Sequence, residues 1–182
     1  QLSNLVSTGN QSSIVGCSFN RAYWSGVKIK KSHAVLIKDN VFYRTIGGAV
    51  EIDRQGEDRS DSKLPPSERS RRVQIVGNLA VVMINSISHR GITGTKDTKH
   101  PQAQFDDSGL ATVLHGNAAA GSERSGFCVV TPPCHQATGN HSLQKDNTAH
   151  SCVFGVHANH AESVGACVAV PDFSVWKTLN FG

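Results

Sequence analysis

The sequence predicts an all-β protein, a single-stranded right-handed parallel β-helix with irregular loop insertions. Similar short segments recur at intervals of about 20 to 40 residues, and apolar residues within them fall at even offsets, as in strands. A repeat of this kind, built from strands and turns, indicates a solenoid. Connections between parallel strands are almost always right-handed, which sets the expected handedness.

One anchor residue recurs in every repeat. An apolar residue precedes it by three positions in four of five copies, and Cys17 occupies it in the first copy. Asparagine tolerates left-handed backbone geometry, and its amide can hydrogen-bond to an asparagine in the next coil, about 4.8 Å away. We therefore interpret the anchors as a structural ladder rather than as catalytic groups. The ladder residues are Asn40, Asn78, Asn117 and Asn147.

Size and composition limit the possible classes of protein. The 182 residues are expected to form one domain, 1–182, and 17 glycines with few aromatics suit a narrow stacked core. The chain begins without methionine and carries no apolar run long enough to cross a bilayer, so we expect a piece of a longer protein. The net charge of +4 is modest and basic residues are not interleaved with aromatics, which argues against nucleic acid as a partner.

Cysteines and glycosylation sequons give hints about the compartment. The five cysteines lack the close pairing of a zinc or redox motif, and sequons for N-glycosylation occur at Asn10 and Asn140. Both observations favour an extracellular location. Cys17 lies in the anchor column, where we expect a buried free thiol.

Two stretches interrupt the repeats. Residues 53–72 are dense in charge, serine and proline, and residues 85–109 contain glycines, lysines and a proline, so we expect both to be extruded loops. Insertions of this kind project from one face of a solenoid and are places for binding function.

The register of the first two coils predicts one contact. Lys28 and Glu51 each lie between two apolar residues at matching offsets from their anchors. We expect both to point outward at the same rung of adjacent coils, either as an ion pair or as unrelated surface charges.

Gln144 stands where other copies have Ile or Leu, which indicates a looser coil or one near an edge.

A set of motifs in fixed order is more specific than the repeat alone. The motifs are residues 117–127 (NAAAGSERSGF), 133–134 (PC), 147–151 (NTAHS), 155–157 (GVH), 165–167 (GAC), 172–177 (DFSVWK) and 180–182 (NFG). Together they resemble the β-helix region of the fibrocystin and fibrocystin-like family.

This resemblance implies a segment of a large single-pass cell-surface protein, exposed outside the plasma membrane and associated with cilia, with no catalytic residues to carry over. The β-helix of the family is also similar to that of hyaluronan-depolymerising proteins. Cys134 and Cys167 match the family motifs, which implies a disulfide between them; the competing pair is Cys134 with Cys128. The chain departs from the family pattern at Cys128 and Cys152.

Side chains suited to catalysis are few. Polysaccharide-cleaving β-helices need carboxylates that converge on one outer face. Asp39 and Asp146 directly precede anchors and are interpreted as turn residues, while Asp106 and Asp107 are adjacent and point apart in an extended strand. The histidines of neighbouring coils, His115, His150 and His157, are the better candidates for a ligand or metal. Their spacing matches no metal motif, so no metal or other cofactor is expected.

Two functions remain. The first is a binding or scaffolding segment of a receptor-like protein that recognises a glycan or protein through the solenoid face. The second is a polysaccharide-depolymerising enzyme, which a hyaluronan depolymerisation assay would separate from the first.

Overall fold

The computed structural model describes residues 12–23, 25–52, 70–84, 103–107, 112–131, 144–160 and 172–180. All sixteen regular elements in these residues are strands. In chain order they are β1 (Ser12–Val15), β2 (Ser18–Asn20), β3 (Val27–Ile29), β4 (Val35–Lys38), β5 (Val41–Ile46), β6 (Val50–Ile52), β7 (Gln74–Val76), β8 (Leu79–Ile84), β9 (Ala103–Asp107), β10 (Val113–His115), β11 (Ala118–Ser122), β12 (Ser125–Thr131), β13 (Gln144–Lys145), β14 (Asn147–His150), β15 (Phe154–His160) and β16 (Phe173–Trp176).

The strands form three sheets, and each coil adds one strand to each sheet. Sheet A has the order β1-β4-β7-β10-β13, sheet B the order β2-β5-β8-β11-β14-β16, and sheet C the order β3-β6-β9-β12-β15. Neighbouring strands pair in parallel throughout, for example Leu36 with Gln74 in sheet A and Phe127 with Val156 in sheet C. The predicted parallel β-helix is confirmed.

The core is a narrow stack of apolar side chains that face inward from all three sheets. Its fully buried members include Ile37, Ile75 and Leu114 of sheet A, Phe42, Ala80, Ala119 and Ala149 of sheet B, and Val50, Ile52, Phe105, Phe127 and Val129 of sheet C. Rings stack along the axis: the centroids of Phe105 and Phe127 lie 5.0 Å apart, and those of Phe19 and Phe42 lie 4.8 Å apart. These distances match the spacing of adjacent strands, so each ring packs on the ring of the next coil.

A ladder of buried asparagines runs along the corner between sheets A and B. The amide nitrogen of Asn40 donates to the amide oxygen of Asn78 at 2.9 Å, and Asn78 and Asn117 donate in the same way to Asn117 and Asn147 at 3.0 Å. Each acceptor oxygen also receives the backbone N–H of the preceding asparagine. The amide nitrogens also donate backwards, for instance from Asn117 to the carbonyl of Ile75 at 2.8 Å. Every rung therefore ties three successive coils together.

The left-handed turn at this corner is made by the residue before each asparagine. Asp39, Gly77, Gly116 and Asp146 have φ between 53° and 65°, whereas the asparagines do not appear among the described residues of positive φ. The expectation that asparagine itself adopts this conformation is wrong, because its backbone N–H is needed in the ladder. The interpretation of Asp39 and Asp146 as turn residues is confirmed.

The ladder has different residues at its two described ends. The backbone N–H of Cys17 donates to the amide oxygen of Asn40 at 2.8 Å, and Cys17 itself is exposed. The expected burial of this thiol is wrong: Cys17 takes part in the ladder through its backbone N–H, while its thiol contacts the carbonyl of Val15 at 3.5 Å on the exposed side. At the other end Phe173 aligns with Asn147, and its ring packs edge-on against Phe127 with centroids 5.1 Å apart.

Gly26, Gly126 and Gly155, at the start of three sheet C strands, allow sheets B and C to approach closely. A Cβ placed on Gly126 would lie 2.9 Å from the Cβ of Ala149 and 3.2 Å from that of Ala119. The shorter contact is closer than real Cβ atoms come, so Gly126 leaves no room for a side chain.

Parts of both predicted loops belong to the coils. Strand β9 lies inside the range 85–109, because Phe105 fills the core although charged and turn-forming residues surround it in sequence. In the range 53–72, Ser70 is buried and Arg71 bridges to His33. The remainder of both ranges lies outside the described residues.

Two further expectations can be compared with the fold. Lys28 and Glu51 pair in register as predicted, but Glu51 is only 1% exposed, so the expectation of a second surface charge is wrong. Its side chain folds over Gly48, where a Cβ would lie 3.1 Å from the Glu51 Cγ. Gln144 lies in β13, the last strand of sheet A among the described residues, but β14 of the same coil pairs onward with β16. The expectation of a looser coil or one near an edge stays a prediction.

We predict that Asn78→Ala lowers the free energy of unfolding by about 3 kcal/mol, because two buried donors of Asn40 lose their acceptor. Chemical denaturation followed by circular dichroism measures the change. Asn20→Ala, at an exposed position of sheet B, is the matched control and should change stability by less than about 0.5 kcal/mol. Equal losses in the two variants would contradict a stabilising ladder.

Candidate ligand-binding face

The outer face of sheet B carries a continuous apolar strip. Buried residues such as Phe42 and Ala119 point inward, so their neighbours on each strand point outward. Strand pairing aligns these neighbours into two rows that cross six coils. The apolar strip consists of Ser18, Val41, Leu79, Ala118, Thr148 and Ser174 in one row and Asn20, Tyr43, Val81, Ala120, His150 and Trp176 in the other.

The strip exposes much of its apolar surface. Val41 is 41% exposed, Tyr43 42%, Leu79 39% and Trp176 44%. They make up four of the seven large apolar side chains that are exposed in the described part of the chain. We take this exposed apolar surface as the candidate site of interaction.

None of the twelve strip residues is Asp, Glu, Lys or Arg. In the chain as a whole 18% of residues are charged, so a solvent-facing sheet surface without them is unusual. Neutral polar groups lie toward its ends, at Ser18, Asn20, Thr148 and Ser174.

Aromatic rings lie toward both ends of the second row, at its second member and at its last two. His150 and Trp176 stack with centroids 4.9 Å apart and planes 17° apart, and Nδ1 of His150 lies 3.2 Å from the hydroxyl of Ser151. Tyr43 lies three coils before His150, with the smaller side chains of Val81 and Ala120 between them. The row is therefore a shallow trough between a tyrosine and a stacked aromatic pair.

A second left-handed corner borders the strip one position after the second row. Arg21, Arg44, Val82, Ser151 and Lys177 occupy it with φ between 53° and 61°. Three cations therefore lie at the ends of this edge, and the middle coils have none there.

The three candidate histidines lie on three different faces. His115 belongs to sheet A, His150 to sheet B and His157 to sheet C. His115 forms a 3.2 Å contact with the carboxylate of Asp146 in the next coil. The structure therefore does not bring these histidines together, and the described residues hold no group of three or more metal-ligating side chains.

Sequence reasoning missed a polar row on the outer side of sheet C. The residues that align there are Lys28, Glu51, Asp106, Cys128 and His157. The sequence pattern predicts a loop over 85–109, so Asp106 has no predicted register with Glu51 and Cys128. Glu51 and Cys128 are at most 3% exposed, so this row is covered where the acid and thiol lie.

The described cysteines are in different environments. Cys152 is buried in the column that also contains Thr45, Met83 and Ser122, and its thiol donates to the carbonyl of His150 at 3.2 Å. Burial raises the pKa of this thiol, and hydrogen bonds with the main chain of neighbouring coils oppose the effect. Cys134, Cys167, Asn10 and Asn140 lie outside the described residues, so the disulfide and glycosylation remain predictions.

The fold and its repeated coils define a parallel β-helix domain, and the chain belongs to the CEMIP beta-helix family, whose family model matches residues 2–168. Relatives include fibrocystin of the dog, which is 24% identical over 93% of this chain, and mouse fibrocystin, which is 25% identical over 93%. Mouse fibrocystin-L is 23% identical over 92%.

The chain spans about 4% of the length of these curated relatives. It is thus similar to a small segment of each, which agrees with the expected resemblance to the fibrocystin-like family. No solved structure matches the chain. Among the described residues, no helix is long and apolar enough to cross a membrane.

We predict that iodoacetamide at pH 8 modifies Cys17 at least about tenfold faster than Cys152 in the folded chain, because a buried thiol of raised pKa forms less thiolate. Peptide mapping by mass spectrometry measures both rates. In denaturant the two rates should converge. Similar rates in the folded state would show that Cys152 is not held in the core.

Proposed function

We propose that this chain is an extracellular, receptor-like β-helix segment of a longer cell-surface protein and that it binds its ligand through the apolar strip of sheet B. The observation that carries the proposal is the strip itself, which has twelve aligned outward positions without a formal charge and four large exposed apolar side chains. The regular sheet beneath the strip makes it a rigid, preformed surface.

The relatives support the proposed location. Fibrocystin and fibrocystin-L align with nearly the whole chain while extending far beyond it, which supports a segment of a longer protein. The resemblance to that family suggests a single-pass parent with this segment on the outer side of the plasma membrane, in ciliary or similar projections. The sequons at Asn10 and Asn140 and a Cys134–Cys167 disulfide suit the same compartment.

A polysaccharide-depolymerising enzyme is the second candidate. It is favoured by the family model and by the register pairing of Glu51 with Asp106 on sheet C, which places two acidic residues in adjacent coils. The burial of Glu51 counts against it, because a carboxylate that is 1% exposed is poorly placed to meet a polymer. Binding without cleavage therefore agrees better with the exposed surfaces.

We predict that the double variant Val41→Glu with Leu79→Glu reduces binding of a fluorescently labelled tetramer of the 182-residue chain to unpermeabilised epithelial cells by at least about tenfold. Two carboxylates in the strip would have to be desolvated by any ligand that covers it. Flow cytometry measures the bound tetramer.

The matched control for this experiment is Val15→Glu. Val15 is 50% exposed and lies on the outer side of sheet A, away from the strip. It should leave cell binding unchanged, and circular dichroism should show native strand content in all variants. Undiminished binding of the double variant would refute the strip as the ligand surface.

We also predict that the chain leaves the size distribution of high-molecular-weight hyaluronan unchanged, with or without added Ca²⁺ or Mn²⁺, when followed by gel electrophoresis. Glu51→Gln provides the control if cleavage is seen. Cleavage that this substitution abolishes would establish the enzymatic alternative on sheet C.

A further inference from the structure

We propose that the apolar strip binds a short segment of an uncharged, linear glycan laid along the solenoid axis, with Tyr43 and the His150–Trp176 pair at its two ends. This inference rests on the proposed function and names the ligand chemistry of the same face.

The dimensions of the strip favour a linear ligand. Six coils at about 4.8 Å per step give a length of about 24 Å, and two rows of side chains give a width of about 10 Å. The resulting area of about 240 Å² is well below the roughly 800 Å² that each partner buries in a stable protein complex. A narrow surface of this shape fits an extended chain.

The position of the strip disfavours an extended peptide. A peptide that adds to a sheet needs an unpaired strand edge, and the backbone groups of β5, β8, β11 and β14 are paired with strands on both sides. The strip exposes only side chains. Its flat apolar middle can contact the hydrophobic face of a sugar ring, while the hydroxyls and amide of Ser18, Asn20, Thr148 and Ser174 can bond to sugar hydroxyls.

The aromatic groups are spaced for a chain that runs across coils. Tyr43 lies three coil steps from His150 and four from Trp176, or about 14 and 19 Å. The imidazole of His150 stacks against the indole of Trp176 and supports it in one orientation. Aromatic rings held in this way present large apolar area at low entropic cost.

The distribution of charge favours an uncharged glycan over an acidic one. At the corner that follows the second row, the residues of the first, second and sixth coils are Arg21, Arg44 and Lys177. At the same corner of the three coils between them the residues are Val82, Gly121 and Ser151. A polymer with a carboxylate on every second sugar would place negative charge beside three coils whose corner holds no cation.

The test uses the fluorescence of Trp176. The chain has two tryptophans, so Trp24→Phe leaves Trp176 as the single reporter. Cellohexaose and chitohexaose are the uncharged probes, and a hyaluronan hexasaccharide of equal length is the acidic probe. We expect a saturable shift in emission with at least one uncharged probe and binding of the acidic probe that is weaker by about tenfold or more.

The two tyrosines of the chain provide a matched pair of variants in the Trp24→Phe background. Tyr43→Ala should weaken binding of the uncharged probe by about tenfold, whereas Tyr23→Ala should leave it unchanged. Tyr23 is 76% exposed but lies outside the strip.

Three results would overturn the inference: no saturable shift with either uncharged probe, tighter binding of the acidic hexasaccharide, or equal effects of the two tyrosine substitutions. If cell binding still depends on Val41 and Leu79 in that case, the strip remains the ligand surface and only the glycan assignment fails. If cell binding is independent of both residues, the proposed function fails as well.

Discussion

The structure depends on the hydrogen bonds that run from one buried asparagine to the next. The amide oxygens of Asn78, Asn117 and Asn147 each receive both the side chain and the backbone N–H of the asparagine before them, and each amide nitrogen also reaches the preceding coil. These groups are fully buried, so a missing rung would leave donors that water cannot reach. Because a rung satisfies its partners only when the coils are in register, the ladder sets the alignment of all three sheets.

That alignment has consequences for function. Residues at the same offset from the asparagines stack into a row, with successive members about 4.8 Å apart, so one residue type repeated at one offset becomes a continuous surface. In this way modest side chains such as Val41, Leu79 and Ala118 form an exposed strip, although each is unremarkable within its own segment. The same stacking separates His115, His150 and His157 onto different faces, because their offsets from the nearest asparagine differ.

The outer sides of sheets B and C differ in how far their side chains are exposed to solvent. Glu51 and Cys128 occupy outward positions yet are almost inaccessible to solvent. In sheet B, by contrast, a left-handed residue such as Arg44 or Ser151 directly follows the second row of the strip, and the outer face of the sheet stays open. Two faces of one solenoid are thus suited to different roles.

The sequence by itself determined the fold class, the asparagine ladder positions and the apolar columns, because these depend on offsets within each repeat that survive in the linear chain. Only the tertiary structure decided that β9 belongs to the stack, that Glu51 is buried, and that the left-handed residues precede the asparagines. It alone assembled the apolar strip, because the strip's residues come from six coils separated by insertions of unequal length.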